Sequence, residues 1–185
     1  MTSFVRMLGG ALLLALTGCT APGLLNSVDG ISGGGKGVTR VAEGVAFGTH
    51  GQKLDVWRPK GPADDAAGNP VVIFWYGGGW ADGKRQDYGF AARAFAAQGF
   101  TVVLPDYRQV PDVRYPAFVE DGAQALAWTR ANIAQYGGDP QRIGVSGHSA
   151  GAYIAVMLAV DPRWLAAECL RACDSISAVA GLAGP

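Results

Sequence analysis

The chain is patterned as short, wholly apolar runs separated by longer amphipathic stretches. Val71-Val72-Ile73-Phe74-Trp75 is β-branched and aromatic throughout and stops at a cluster of glycines. Such a run predicts a strand covered on both faces, as in a parallel sheet. Thr101-Val102-Val103-Leu104 and Arg142-Ile143-Gly144-Val145 repeat the type, and Ser177-Ala178-Val179-Ala180 is a weaker fourth example. Between these runs the period changes. Tyr88 to Gln98 is rich in Ala, Ala117 to Gln135 sets Val119, Ala123, Leu126 and Ile133 along one stripe, and a third helical stretch opens near Ser149 and continues through Ile154, Met157 and Leu158. Strands alternating with helices of this length predict an α/β fold built on a mostly parallel, doubly wound sheet. Upstream, Val45-Ala46-Phe47 and Leu54-Asp55-Val56-Trp57 flank Gly48-Thr49-His50-Gly51, which reads as two short strands joined by a turn, with a loop from Pro59 to Pro70.

Composition narrows this picture. The 185 residues are 49% apolar and 16% charged, enough for one core and one globular domain. Fifteen Lys and Arg balance fifteen Asp and Glu, and no basic block is present to neutralise phosphates, so nucleic acid is not an expected partner. The N-terminus departs from globular character. Arg6, the apolar run Leu8 to Leu16 and the small residues before Cys19 have the layout of a secretory signal, and the run is too short to span a bilayer. Leu16-Thr17-Gly18-Cys19 also resembles the lipobox of bacterial lipoproteins. That resemblance implies cleavage before Cys19, acylation of its sulfur and a lipid anchor holding the protein to the bacterial cell envelope, with Thr20 favouring the periplasmic side of the outer membrane. The expected organisation is therefore a signal peptide over 1–18, a flexible Gly- and Ser-rich tether over 19–42 and a catalytic-type domain over 43–185.

Two motifs carry chemistry. Gly147-His148-Ser149-Ala150-Gly151 matches the Gly-x-Ser-x-Gly elbow, in which small residues permit a strained strand-to-helix turn that exposes the serine oxygen. The bare pattern is weak, and Gly30-Ile31-Ser32-Gly33-Gly34 matches it too. Only Ser149 has a predicted strand before it and a predicted helix after it, whose first amides and dipole would favour an anion. The second motif, Tyr76-Gly77-Gly78-Gly79-Trp80, follows directly on the Val71 to Trp75 strand. A glycine turn there lets backbone N–H groups face a site without side chains in the way, as an oxyanion hole requires. Both motifs fall at C-terminal ends of predicted strands, where parallel sheets place their sites.

Together with Asp106-Tyr107-Arg108, Tyr115-Pro116 and Gly137-Gly138-Asp139-Pro140, these motifs resemble the carboxylesterase-type α/β-hydrolases, in particular the bacterial esterase, feruloyl-esterase-like and kynurenine-formamidase-like branches. The likeness covers about residues 43 to 185. It implies a serine hydrolase acting on a small-molecule ester, with Ser149 as nucleophile, the amides of Gly78, Gly79 and Ala150 as oxyanion hole, and no cofactor. Amide hydrolysis on the same site is the alternative reaction, and a non-catalytic lipoprotein remnant the alternative class. Two departures from the family stand out. Tyr76 occupies a position where the family often has His, and no His follows Ser149 to complete a triad that runs Ser, acid, His along the chain. His148 adjoins the nucleophile and His50 lies in the early hairpin, so neither suits a general base, and Asp161 and Asp174 read as a helix cap and a surface charge. The sequence accordingly reads as the N-terminal part of a longer hydrolase. Asp106, Tyr107 and Arg108 suit structural hydrogen bonding. Trp75, Trp80, Trp128 and Trp164 suit core or pocket wall, and Cys169 and Cys173 suit small buried hydrophobes one helical turn apart rather than a disulfide. No metal-ligand spacing and no nucleotide-binding loop is present.

Overall fold

A computed structural model describes residues 21–63 and 66–184. Residues 1–18, expected to be a signal peptide, and Cys19 lie outside the described residues. The elements run in the order α1 (Ala21–Ile31), β1 (Val38–Phe47), β2 (Gln52–Pro59), β3 (Asn69–Trp75), a 3-10 turn (Arg85–Tyr88), α2 (Gly89–Ala96), β4 (Thr101–Pro105), α3 (Ala117–Asn132), a second 3-10 turn (Ile133–Tyr136), β5 (Gly138–His148), α4 (Ala150–Val160), α5 (Pro162–Ala166), α6 (Ala172–Ser175) and β6 (Ala178–Leu182).

The strands form one sheet in the order β1-β2-β4-β3-β5-β6. β4, β3, β5 and β6 are mutually parallel, while β1 and β2 pair antiparallel with each other and β2 pairs antiparallel with β4. The sheet is thus mixed, its parallel part being the half that carries the two chemical motifs. The chain steps from β3 outward to β4, then crosses back over β3 to β5. Right-handed crossovers in opposite directions put their helices on opposite faces, and the reversal leaves a crevice at the C-terminal ends of β3 and β5.

The apolar runs are covered as their sequence predicts. Val71, Ile73, Phe74 and Trp75 of β3 and Val102, Val103 and Leu104 of β4 are all buried. The α3 stripe of Val119, Ala123 and Leu126 is buried as well. α3 and α4 meet at a glycine: a Cβ on Gly122 would stand 2.5 Å from Ile154 Cγ2, so the backbone of α3 comes close to the side chains of α4. β6 lies at the sheet edge with all five residues exposed.

Three expectations change. Residues 21–31 are helical rather than a structureless tether, because α1 is held by its polar face: Asp29 pairs with Arg93 of α2 at 2.5 Å, and Asn26 Nδ2 donates to the Gln86 carbonyl at 3.0 Å. Turn structure is confined to 32–37, and β1 starts at Val38, inside the expected tether. Cys169 and Cys173 are free and exposed rather than buried. They do not share a helix, since Cys169 adopts φ 57° in the turn after α5 and Cys173 lies in the short α6.

Candidate active site

The register of the parallel pair β3–β5 places Trp75 beside Gly147. The segments that continue past those residues, Tyr76 to Gly83 and His148 to Ala150, therefore emerge side by side. A cleft of about 250 Å3 lies between them, lined by Gly77, Gly78, Gly79, His148 and Ser149, with Pro22 of α1 and Tyr88 at its flank.

Ser149 sits at φ 52°, ψ −116°, outside both helix and strand regions. A non-glycine residue held there is strained by on the order of 1–3 kcal/mol and persists only where its surroundings enforce it. The enforcement is visible. A Cβ on Gly151 would stand 2.1 Å from the Trp75 carbonyl oxygen, and one on Gly147 would stand 2.4 Å from the Gly151 backbone. Both glycines of the motif are therefore demanded by close backbone approach, which presses the start of α4 against the end of β3. The Ser149 N–H donates to the Leu182 carbonyl at 2.9 Å, tying the turn to β6. The Ser149 side chain makes no capping bond to its own helix. Ala150 is buried and opens α4, where the first amides have no intrahelical acceptor and the dipole is positive.

The glycine loop is equally determined. Gly78 has φ 148°, and a Cβ there would lie 1.9 Å from the Asp82 carbonyl oxygen. The loop closes on itself through Ala81 and Asp82 N–H groups donating to the Gly78 carbonyl at 3.1 and 2.9 Å. Gln109 fastens it from outside, its Nε2 donating to the carbonyls of Asp82 and Gly83, both at 2.9 Å. Among the described residues no carbonyl accepts from the Gly78 or Gly79 N–H.

Tyr76, in the position where His is frequent, sits behind the loop. Its ring stacks on Tyr107 at 4.5 Å between centroids, its carbonyl accepts from the Tyr107 hydroxyl at 3.1 Å, and its own hydroxyl accepts from Gln109. Burial pushes both phenols well above their ordinary range, with the Asp106 charge adding to the effect at Tyr76, so they act as neutral hydrogen-bonding groups. Asp106 pairs with Arg85, which also donates to buried Asp55 at 2.9 Å. Burial raises Asp106 against the opposing pull of Arg85. Arg108 donates to Asp121, which is wholly buried, from its backbone N–H at 2.7 Å and its side chain at 2.8 Å. The structural roles expected of Asp106, Tyr107 and Arg108 are the ones observed.

Neither histidine contacts the Ser149 hydroxyl. His148 Nδ1 lies 2.9 Å from the Tyr88 hydroxyl, and His50 is in the β1–β2 turn, which Thr49 ties to Gln124 of α3. A Cβ on Gly77 would stand 2.7 Å from His148 Nδ1, so the imidazole is wedged between the glycine loop and Tyr88. Burial raises the Tyr88 phenol, which therefore stays a hydroxyl beside the ring. Tyr88, Gln109 and Arg85 were not singled out in the sequence, because nothing in their spacing marks residues that hold a loop from behind. No grouping of His, Cys, Asp and Glu able to hold a metal ion is found among the described residues.

A nucleophile elbow after β5 and a glycine loop after β3, on this strand order, define an α/β-hydrolase fold. The BD-FAE family profile matches residues 54–181, and the chain belongs to that family. It is similar to Esterase LipC of Mycobacterium tuberculosis, 39% identical over 137 residues covering 72% of this chain and 34% of the relative. It is also similar to Carboxylesterase NlhH of the same organism, 43% identical over 91 residues covering 49% of this chain and 28% of the relative. Among solved structures, esterase B from Lactobacillus rhamnosis superposes over 100% of this chain and 59% of its own with a TM-score of 0.74 at 23% identity, which bears on the fold alone. The chain thus spans about a third of the length of the curated relatives it matches.

Proposed function

We propose that the whole protein is a serine hydrolase that cleaves small carboxylic esters, with Ser149 as nucleophile. The observation that carries this reading is the strained Ser149 turn facing the glycine loop across a shared cleft. The Ser149 oxygen attacks the ester carbonyl while its proton passes to a base outside the described residues. The tetrahedral oxyanion is held by the N–H groups of Gly78, Gly79 and Ala150, the last reinforced by the positive end of α4. Collapse expels the alcohol and leaves an acyl-serine, which water then hydrolyses to the free acid and regenerated Ser149. No step calls for a cofactor. The esterase names of the two similar mycobacterial proteins support this reaction over amide hydrolysis.

The test is hydrolysis of p-nitrophenyl acetate by the whole natural protein. Ser149→Ala abolishes turnover and Ser32→Ala, at the motif match with no strand before it, leaves it intact. Turnover that survives Ser149→Ala overturns the assignment.

Attachment to the bacterial cell envelope through lipid on Cys19 is a second part of this reading, supported by the Leu16-Thr17-Gly18-Cys19 pattern. Incorporation of labelled palmitate in the native host, lost in Cys19→Ser, is the expected result. Equal labelling of both proteins would refute it.

A further inference from the structure

Gly77, Gly78 and Gly79 have no side chains with which to hold their own conformation, so what lies behind them decides where their amides point. The return arm of the same loop lies there. A Cβ on Gly78 would stand 1.9 Å from the Asp82 carbonyl oxygen, and one on Gly83 would stand 2.4 Å from the Gly77 carbonyl oxygen. Asp82 and Gly83 cannot shift without moving Gly77 and Gly78. The Gly78 carbonyl accepts from the Ala81 and Asp82 N–H groups, and it shares one planar trans peptide with the Gly79 N–H. Tying that carbonyl into the loop therefore sends the Gly79 N–H out of the loop's other side.

The return arm is in turn held by a segment that follows β4. Gln109 is half-buried, and its Nε2 donates to the Asp82 and Gly83 carbonyls, both at 2.9 Å, and lies 3.3 Å from the Tyr76 hydroxyl. Among the described residues no other group donates to those two carbonyls. The next residue grips the turn as well: the Val110 N–H donates at 2.8 Å to the carbonyl of Trp80, which is held at φ 61°.

We propose that Gln109 is a positioning residue for ester hydrolysis, which touches no reacting atom but sets the direction of the Gly78 and Gly79 amides through the Asp82 and Gly83 carbonyls. The inference rests on the esterase reading above. Its own support is that the held carbonyl of Asp82 is the one packed against Gly78. The role calls for a donor at this position. Every neighbour of Nε2 is an oxygen, its two hydrogens serve the two carbonyls, and a carboxylate in the same place would have no hydrogen to offer them.

The experiment uses the whole natural protein with three substitutions. Gln109→Met and Gln109→Glu keep the length of the side chain and remove its donors at neutral pH, and Gln109→Lys returns donors on an ammonium. With p-nitrophenyl acetate, the Met and Glu variants lower kcat about thirtyfold at unchanged KM, less than the roughly 100- to 1,000-fold that loss of a direct oxyanion donor costs. Affinity for a trifluoromethyl ketone, whose adduct with Ser149 carries the same oxyanion, falls by the same factor. Gln109→Lys brings both quantities to within about threefold of the unsubstituted protein. A lower urea midpoint with kcat and ketone affinity unchanged would overturn the inference, and so would a rise in KM alone. As a readout free of catalysis, hydrogen exchange at the Ala81 and Asp82 amides is faster in Gln109→Met, while exchange at Ile143 and Val145 of β5 is not. Equal exchange at Ala81 and Asp82 in the two proteins would also overturn it. Faster exchange there in a protein whose unsubstituted form hydrolyses no ester would defeat the esterase reading and leave the hold of Gln109 on the loop standing.

Discussion

Gly151→Ala is the substitution whose consequence the structure fixes most closely. The added Cβ would stand 2.1 Å from the Trp75 carbonyl oxygen, 2.5 Å from the Trp75 carbonyl carbon and 2.6 Å from the Tyr76 carbonyl oxygen. All three are backbone atoms of β3 and the glycine loop, so no side chain can swing aside. Restoring ordinary contact, which begins near 3.4 Å, requires α4 and β3 to separate by about 1.3 Å. Overpacking of this kind costs about 1–3 kcal/mol of stability. The effect on chemistry is larger, because the separation falls between Ser149 and the loop that would hold the oxyanion, and a misplacement of about 1 Å costs roughly a hundredfold in rate. Fluorophosphonate labelling of the whole protein, followed over time at a temperature where circular dichroism shows it folded, should slow by at least that factor. Gly144→Ala is the control within the same region. Its Cβ meets nothing nearer than 3.7 Å, and labelling should be unchanged. Equal labelling rates for Gly151→Ala and the unsubstituted protein would refute the argument that close approach of α4 to β3 positions the nucleophile.

Two further outcomes test the supports of the site. Asp121→Ala leaves Arg108 and Gln52 without the buried carboxylate they share, and unfolding by urea should show a loss of about 3 kcal/mol. Asp139 is held below its ordinary value by the Gln141 N–H at 2.8 Å and by Arg142 at 2.7 Å. A depressed carboxylate contributes stability above its unfolded value and loses it as the pH falls through the folded one. Asp139→Asn should therefore lower the melting temperature at pH 7, and the difference should shrink as the pH falls below the ordinary carboxylate range and the Asp139 carboxylate takes up its proton. A difference independent of pH would refute the ionic origin.

How much of this was legible in the sequence depends on the range of the interactions involved. Val71 to Trp75 and Thr101 to Leu104 announce buried strands because burial on both faces removes every polar position, and the observed strands agree within a few residues. Ser149 and the Gly77–Gly79 loop were legible because strain and close approach demand glycine at fixed offsets, a local signature. The antiparallel pairing of β2 with β4 was not, since nothing in either strand encodes its neighbour. α1 was missed because its composition is that of a linker, and its helix is held by Arg93, 64 residues away from Asp29. The Tyr88–His148 contact, 60 residues apart, escaped for the same reason. The exposed thiols escaped because Cys169 breaks the helix that spacing suggested.

The central claim is that the Ser149 hydroxyl forms the covalent bond to substrate. Peptide mass spectrometry of the whole protein after reaction with a fluorophosphonate tests it directly. The account predicts one adduct, on the peptide carrying Gly147 to Gly151 and localised to Ser149 by fragmentation. An adduct on any other residue, or ester hydrolysis persisting with Ser149 unmodified after full reaction, would contradict it.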